Sequence, residues 1–179
     1  FMGVGFVRPH TPLIVPQKYF DLFPLNSIEL PKILKGDADD TFKHTVSSKE
    51  DDRSGDRGTK MYDSLVAAYN GDRELALRKF IQAYLASVAS VDDLVGQILD
   101  TLEKTGLDKN TIVIFTSDHG FHLGDHGQWC KHSNFELDAQ VPLIVKVPWM
   151  KGAEKINSLV ELLDVFPTLM ELCGIDTPE

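Results

Sequence analysis

Leu107-Asp108-Lys109-Asn110-Thr111-Ile112-Val113-Ile114-Phe115-Thr116-Ser117-Asp118-His119-Gly120 is a short polar turn, then a run of β-branched and apolar residues, then an abrupt stop in a carboxylate, an imidazole and a glycine. The run over 111–116 reads as a buried strand. Upstream, Leu77, Ile81, Tyr84, Leu85, Val88, Val91, Val95, Ile98, Leu99 and Leu102 fall three and four residues apart, the spacing of one buried face on a helix from Arg73 to Lys104. Gly106 is placed to cap that helix at its carboxyl end. A long amphipathic helix, a tight turn and a strand make one unit of an α/β sheet flanked by helices. The strand delivers Asp118 and His119 to the sheet's carboxyl edge, where open α/β folds bind their ligands.

Working outward, Val141-Pro142-Leu143-Ile144-Val145-Lys146-Val147 reads as a second strand, with its proline near the start where a missing donor is tolerated. Residues 158–172 carry helical spacing through Leu159, Leu162, Leu163, Phe166, Leu169 and Met170, and Pro167 marks the start of a new helical segment. Towards the amino end, Phe1-Met2-Gly3-Val4-Gly5-Phe6-Val7 has the apolar, small-residue character of an interior strand, which leads us to expect a fragment of a longer protein. Three prolines in Arg8-Pro9-His10-Thr11-Pro12-Leu13-Ile14-Val15-Pro16 forbid regular helix or central strand there, so this is an ordered loop. Residues 17–23 suit a short helical turn, 24–31 an extended segment and 32–59 a mobile polar excursion.

Composition narrows the class. The 179 residues are 42% apolar and 25% charged, ordinary for one globular domain with a core. A formal charge of -9, with no stripe of Lys and Arg, argues against a nucleic-acid surface. No apolar stretch approaches the roughly 18 to 20 residues of a membrane span. Cys130 and Cys173 form neither a close-spaced metal pair nor a disulfide framework, and Cys173 fits a buried, inert thiol in a helix.

The residues suited to chemistry cluster after the first strand. A carboxylate beside an imidazole at a strand end can hold a divalent ion, provided the strand has ended, because adjacent strand residues face opposite ways. The same pair also suits an Asp closing a turn beside a hydrogen-bonded surface His. His122 and His126 are four apart, but His122-Leu123-Gly124-Asp125-His126 lacks the Glu of a zinc-protease helix and carries Gly where helix is required. One or both of these histidines are expected to orient the loop or line a pocket rim. Lys131, in Trp129-Cys130-Lys131-His132-Ser133-Asn134, lies in a loop that must fold back past the strand end, where it could meet an anionic oxygen or simply be solvated. Cys130 stands close to the same histidines.

Taken together, several ordered segments resemble the sulfatase family of the alkaline-phosphatase-like superfamily, and in particular its iduronate-2-sulfatase-like members. They are Gly3-Val4-Gly5-Phe6-Val7-Arg8-Pro9-His10-Thr11-Pro12-Leu13, Tyr84-Leu85-Ala86-Ser87-Val88 with Asp92 and Gly96, Thr116-Ser117-Asp118-His119-Gly120 through Gly124-Asp125-His126-Gly127, Trp129-Cys130-Lys131-His132-Ser133-Asn134-Phe135, Val141-Pro142-Leu143-Ile144, and Leu163-Asp164-Val165-Phe166-Pro167-Thr168-Leu169. The likeness spans the chain apart from 32–72. It implies that residues 1–179 are a middle-to-late portion of one catalytic domain, within a mixed, mostly parallel sheet flanked by helices.

The resemblance further implies hydrolysis of sulfate esters, with a sulfated small molecule or a saccharide such as a glycosaminoglycan unit as substrate. The implied cofactors are calcium, with magnesium second to it, and a formylglycine made from a cysteine or serine. Asp118 and His119 match two protein ligands of the metal, Lys131 matches the lysine on the sulfate group, and His10 matches the histidine beside the sulfate and the leaving oxygen. Members of this kind are exported, periplasmic or lysosomal.

One departure matters. Neither Cys130-Lys131-His132-Ser133 nor Cys173-Gly174-Ile175-Asp176 fits the nucleophile patterns Cys-x-Pro-Ser-Arg or Cys-x-Ala-x-Arg. No early Asp-Asp metal pair follows a strand-like run either. The nucleophile and half of the metal cage are therefore expected outside these residues, and the chain alone is expected to be inactive. Phosphate or phosphonate ester hydrolysis within the same superfamily, and a non-catalytic binding domain, remain as alternatives.

Overall fold

A computed structural model of the chain describes residues 1–34, 36, 37, 40, 56–131 and 133–176. Most of the polar excursion expected over 32–59 lies outside the described residues, as does His132. The chain divides into two compact units, Phe1–Pro148 and Trp149–Glu179. Among the described residues no helix is long and apolar enough to cross a membrane.

The first unit is organised around its helices. The proline-rich loop ends in a one-turn helix, α1 (Gln17–Phe20), and α2 (Asp56–Ala68) leads into the long α3 (Arg73–Lys104). The Asp72 side chain accepts the Leu75 N–H at 3.0 Å, which satisfies one of the unpaired donors of the first turn of α3. At the other end Gly106 takes φ 72°, a left-handed conformation that glycine adopts without a Cβ clash. Both boundaries match the sequence reading.

Packing of α3 is less complete than its periodicity implies. Ala76, Leu77, Phe80, Ile81 and Ala86 are buried, whereas Val88, Leu94, Ile98 and Leu99 are exposed. The buried part meets α2, which the sequence reading missed. Met61, Tyr62, Leu65, Val66 and Tyr69 repeat with helical spacing, and Tyr62 and Val66 join the core.

Two strand pairs follow. β1 (Val113–Thr116) is continued by a hairpin of β2 (His122–Leu123) and β3 (Trp129–Cys130), then by α4 (Glu136–Ala139) and β4 (Leu143–Lys146). β1 pairs antiparallel with β4, Val113 opposite Lys146 and Thr116 opposite Leu143, and β2 pairs antiparallel with β3. The expected mostly parallel sheet is therefore not what these strands form. Parallel neighbours need a crossover packed on the sheet, and the described residues joining β1 to β4 hold a hairpin and a four-residue helix. Because the end of β1 faces the start of β4, residues 117–142 project as one excursion from the carboxyl end of β1. The interior strand expected at 1–7 is likewise absent: this segment has no ladder partner among the described residues, and Phe1, Met2, Val4 and Val7 are exposed.

Aromatic stacking fixes the hairpin to the helices. Tyr62 of α2 stacks on Trp129 of β3 at 3.7 Å between ring centres, Phe80 of α3 meets Trp129 edge-on at 5.8 Å, and Phe121 stacks on Tyr84 at 4.8 Å. Each pair buries large apolar area in a preferred ring geometry.

The second unit holds a 3-10 turn, Leu162–Asp164, running into α5 (Val165–Cys173). Glu161 and Asp164 form a reciprocal capping box at the turn, and Pro167 falls in the first turn of α5, where its missing N–H costs nothing. Cys173 is exposed rather than buried.

Candidate functional site

The strand reading required β1 to stop before Asp118, and it does, at Thr116. Ser117 Oγ donates to the His119 carbonyl at 2.9 Å and tightens the turn. Asp118 projects outward with its side chain 83% exposed, and His119 is partly covered at 31%. Asp118 Oδ2 lies 3.5 Å from His119 Nε2, so the two side chains face the same point.

Lys131 completes the group. Its Nζ donates to His119 Nε2 at 2.5 Å. An ammonium has no lone pair to offer, so Nε2 is the acceptor. The remaining ring proton then sits on Nδ1, which donates to the Gly120 carbonyl at 2.7 Å. The result is a neutral imidazole with its Nε2 lone pair directed at Lys131, beside the Asp118 carboxylate. A carboxylate, an imidazole lone pair and an ammonium converge from two segments thirteen residues apart.

His10 is not part of that group. Its Nδ1 is 2.5 Å from the Thr11 carbonyl, its backbone N–H donates to Val7 O at 2.9 Å, and Arg8 donates to its carbonyl at 3.3 Å. These contacts order the proline-rich loop. Among the described residues no hydrogen bond joins His10 to Asp118, His119 or Lys131.

The excursion carries a second, buried group. His122, on β2, is fully buried and is therefore not on a helical face with His126, which sits in the turn between β2 and β3. His122 Nε2 lies 3.0 Å from Ser133 Oγ, and Ser133 Oγ–H donates to Asp138 Oδ2 at 2.7 Å. Since the hydroxyl proton is committed to the carboxylate, Ser133 accepts from His122 Nε2–H. That order is the reverse of a hydrolase triad, in which the histidine lies between serine and carboxylate and takes the serine proton. Burial holds the His122 pKa below its ordinary value of 6.5, against the opposing pull of Asp138 and Asp125. His126 stacks on Phe135 at 4.3 Å and places Nδ1 2.8 Å from Asp37. Both histidines thus make contacts that order the loop, one of the two roles the sequence leaves open for them.

Ser133 stands in one of the segments that carry the resemblance but is given no role there, and Asp138 stands outside those segments. Their one sequence signal is a serine ahead of a short acidic segment, Glu136-Leu137-Asp138, which is common wherever a helix begins. Cys130, adjacent to Lys131, is half-buried, and burial pushes its thiol pKa up, away from the reactive thiolate.

The donor set bears on the expected calcium. Asp118 offers a carboxylate and His119 one nitrogen, whereas calcium takes six to eight oxygens. Among the described residues no group of three metal-ligating side chains occurs. Asp118 and His119 fit as two donors of a larger cage and do not close one themselves.

Comparison with known proteins now decides the family. The sulfatase family model matches residues 1–175. The chain belongs to the sulfatase family. This sulfatase-family chain is 41% identical to a sulfatase of Formosa agariphila over 98% of its length and 32% of that protein. It is 31% identical to the iduronate 2-sulfatase of Homo sapiens over 99% of its length and 36% of that protein. It therefore spans about a third of the length of these relatives.

Among solved structures, a putative sulfatase of Bacteroides fragilis aligns with 92% of the chain and 30% of its own, at TM-score 0.60 and 29% identity. A second structure, determined in complex with its substrate D-glucosamine-2-N,6-O-disulfate, aligns with 67% of the chain and 26% of its own, at TM-score 0.52 and 33% identity. The fold is that of the sulfatases, although the described strands show only antiparallel pairs.

Proposed function

We propose that the protein hydrolyses sulfate esters of saccharides, with Lys131 as a direct contact to the sulfuryl oxygens. The observation that supports this reading is the Lys131–His119 contact beside Asp118, which sets a cation next to a carboxylate and an imidazole at the carboxyl end of β1. An ammonium held by a neutral imidazole keeps its full charge and can swing to an arriving anion as a point-charge donor. Asp118 and His119 would supply two ligands to a divalent cation, calcium by family resemblance. Such an ion, when bound, would draw charge from the sulfuryl oxygens.

His10 is proposed to hold or protonate the leaving alkoxide, which requires hydrogen-bond reach of that oxygen. The nucleophile, a formylglycine by family resemblance, is proposed to come from a part of the protein outside these 179 residues, as is the rest of the metal cage. Around the site, the sheet comprising β1 and β4 is proposed to be the edge of a larger mixed, mostly parallel sheet.

The saccharide assignment draws on two relatives: one is an iduronate 2-sulfatase, and another was solved with a disulfated glucosamine. Assays of the full-length protein on sulfated monosaccharides, aryl sulfates and the matching phosphate esters test it. Sulfate release from the saccharides is the expected result. Turnover of phosphate esters alone would overturn the reading.

A further inference from the structure

The two segments that bring His119 and Lys131 together are both tied to one residue, Asp138. Its backbone carbonyl accepts the Gly120 N–H at 2.8 Å, and the adjacent Leu137 carbonyl accepts the Phe121 N–H at 3.0 Å, which fixes the chain immediately after His119. Its carboxylate oxygen Oδ2 accepts both the Ser133 N–H at 2.8 Å and the Ser133 Oγ–H at 2.7 Å, which fixes the chain two residues after Lys131. On the other side of Lys131, Cys130 is held in the ladder opposite His122. Lys131 is thus suspended between two anchors, the β2–β3 ladder and the Asp138 carboxylate.

This arrangement is built rather than incidental. Asp138 is 5% exposed and His122 is fully buried, so the carboxylate is held by charge-assisted bonds in a region of low polarity, where such bonds are strongest and their loss is most costly. Gly120 supplies the close approach: a Cβ there would overlap the Leu137 carbonyl. Nothing in the proposed chemistry uses Asp138, Ser133 or His122 directly.

We propose that Asp138 and Ser133 are positioning residues that hold the Lys131 backbone beside His119 at the carboxyl end of β1, so that the anion affinity of the site depends on a buried carboxylate outside the anion's own contacts. The inference rests on Lys131 being the sulfate contact. Supporting partners that orient a binding side chain commonly set affinity or activity by one to two orders of magnitude.

The test is a double-variant cycle on the full-length protein, read as the dissociation constant for inorganic sulfate so that loss of turnover does not hide the result. Ser133→Ala is expected to weaken sulfate binding about tenfold, and Ser133→Thr, which keeps the hydroxyl, to restore it to within about threefold. In a Lys131→Met background, Ser133→Ala is expected to cost nothing more, because the residue through which it acts is gone. Thermal unfolding of each variant confirms a folded protein. If Ser133→Ala does not fold, Asp138→Asn, which keeps the shape and the backbone bond to Gly120, replaces it in the cycle.

An equal penalty from Ser133→Ala in both backgrounds, or no penalty in either, overturns the positioning role while leaving Lys131 as the sulfate contact. Unchanged sulfate affinity in Lys131→Met alone overturns the reading of Lys131, and the positioning role with it.

Discussion

The Lys131 ammonium donates to Nε2 of His119 at 2.5 Å, and this one bond fixes the tautomer of the ring. The same Nε2 lone pair is the atom through which His119 would hold a metal. Under the proposed function, Lys131 and a divalent cation would therefore compete for one acceptor, and a metal ion on Nε2 would release Lys131 from His119. The released ammonium would then be free for an anionic oxygen, so that the proposed cation and anion sites would be coupled through one imidazole.

Metal loss gives the first expectation. In the full-length protein, chelation should abolish turnover and added calcium should restore it. Asp118→Asn, which removes one charged donor, should raise the calcium concentration needed for half-restoration by about tenfold or more. Titration of chelated wild type and variant with calcium checks this, and identical titration curves would remove Asp118 from the metal site.

The 179 residues alone should bind a divalent ion weakly and show no sulfate release. Two donors do not enclose a calcium ion, and no residue fits the nucleophile patterns. Metal-dependent turnover by the isolated chain would contradict the proposed division of the site.

Gly120→Ala should destabilise the protein by about 2 to 4 kcal/mol, in the range of overpacking and loss of a buried hydrogen bond. The new methyl group would meet the Leu137 carbonyl and push Gly120 off Asp138. Denaturant unfolding measures the loss, and a change below about 0.5 kcal/mol, typical of an unconstrained surface position, would mean that the loop can yield there.

Acid should weaken the fold through His122. Its pKa is below 6.5 in the folded chain and near 6.5 when unfolded, so the unfolded state binds more protons between those values. The stability contribution is fully present above pH 6.5 and is lost as pH falls through the depressed folded value. Unfolding free energies compared at about pH 7.5 and about pH 5 should fall less in His122→Gln than in wild type. An equal fall in both proteins would show that His122 does not report on the fold.

The legible parts of this chain are those that obey a local period or a local cap. The repeat through Leu77, Ile81 and Leu85 and the cap at Gly106 mark out α3, because capping and one-sided burial are set within a few residues. Asp118, His119 and Lys131 were recognisable as site candidates, and the structure brings those three together. The pairing of β1 with β4 was not legible, since strand direction depends on the path of the connection rather than on composition.

Ser133 and Asp138 escaped notice for a related reason. Their roles arise only when Ser133 and Asp138 come together with His122, and a serine ahead of a helix-forming acidic segment looks like any other. The exposed apolar residues Phe115, Ile144 and Val145 on the two strands show the converse limit: their pattern reads as core, yet nothing in the local sequence states what would cover them.

The most direct measurement is the second-order rate constant for sulfate release from a sulfated monosaccharide by the full-length protein, wild type against Lys131→Met. Removing a cation that meets the sulfuryl oxygens as charge builds should lower kcat/KM by about a hundredfold or more, with calcium restored and the variant folded. A variant within about twofold of wild type would show that Lys131 does not contact the reacting group, since twofold is under about 0.5 kcal/mol of transition-state stabilisation.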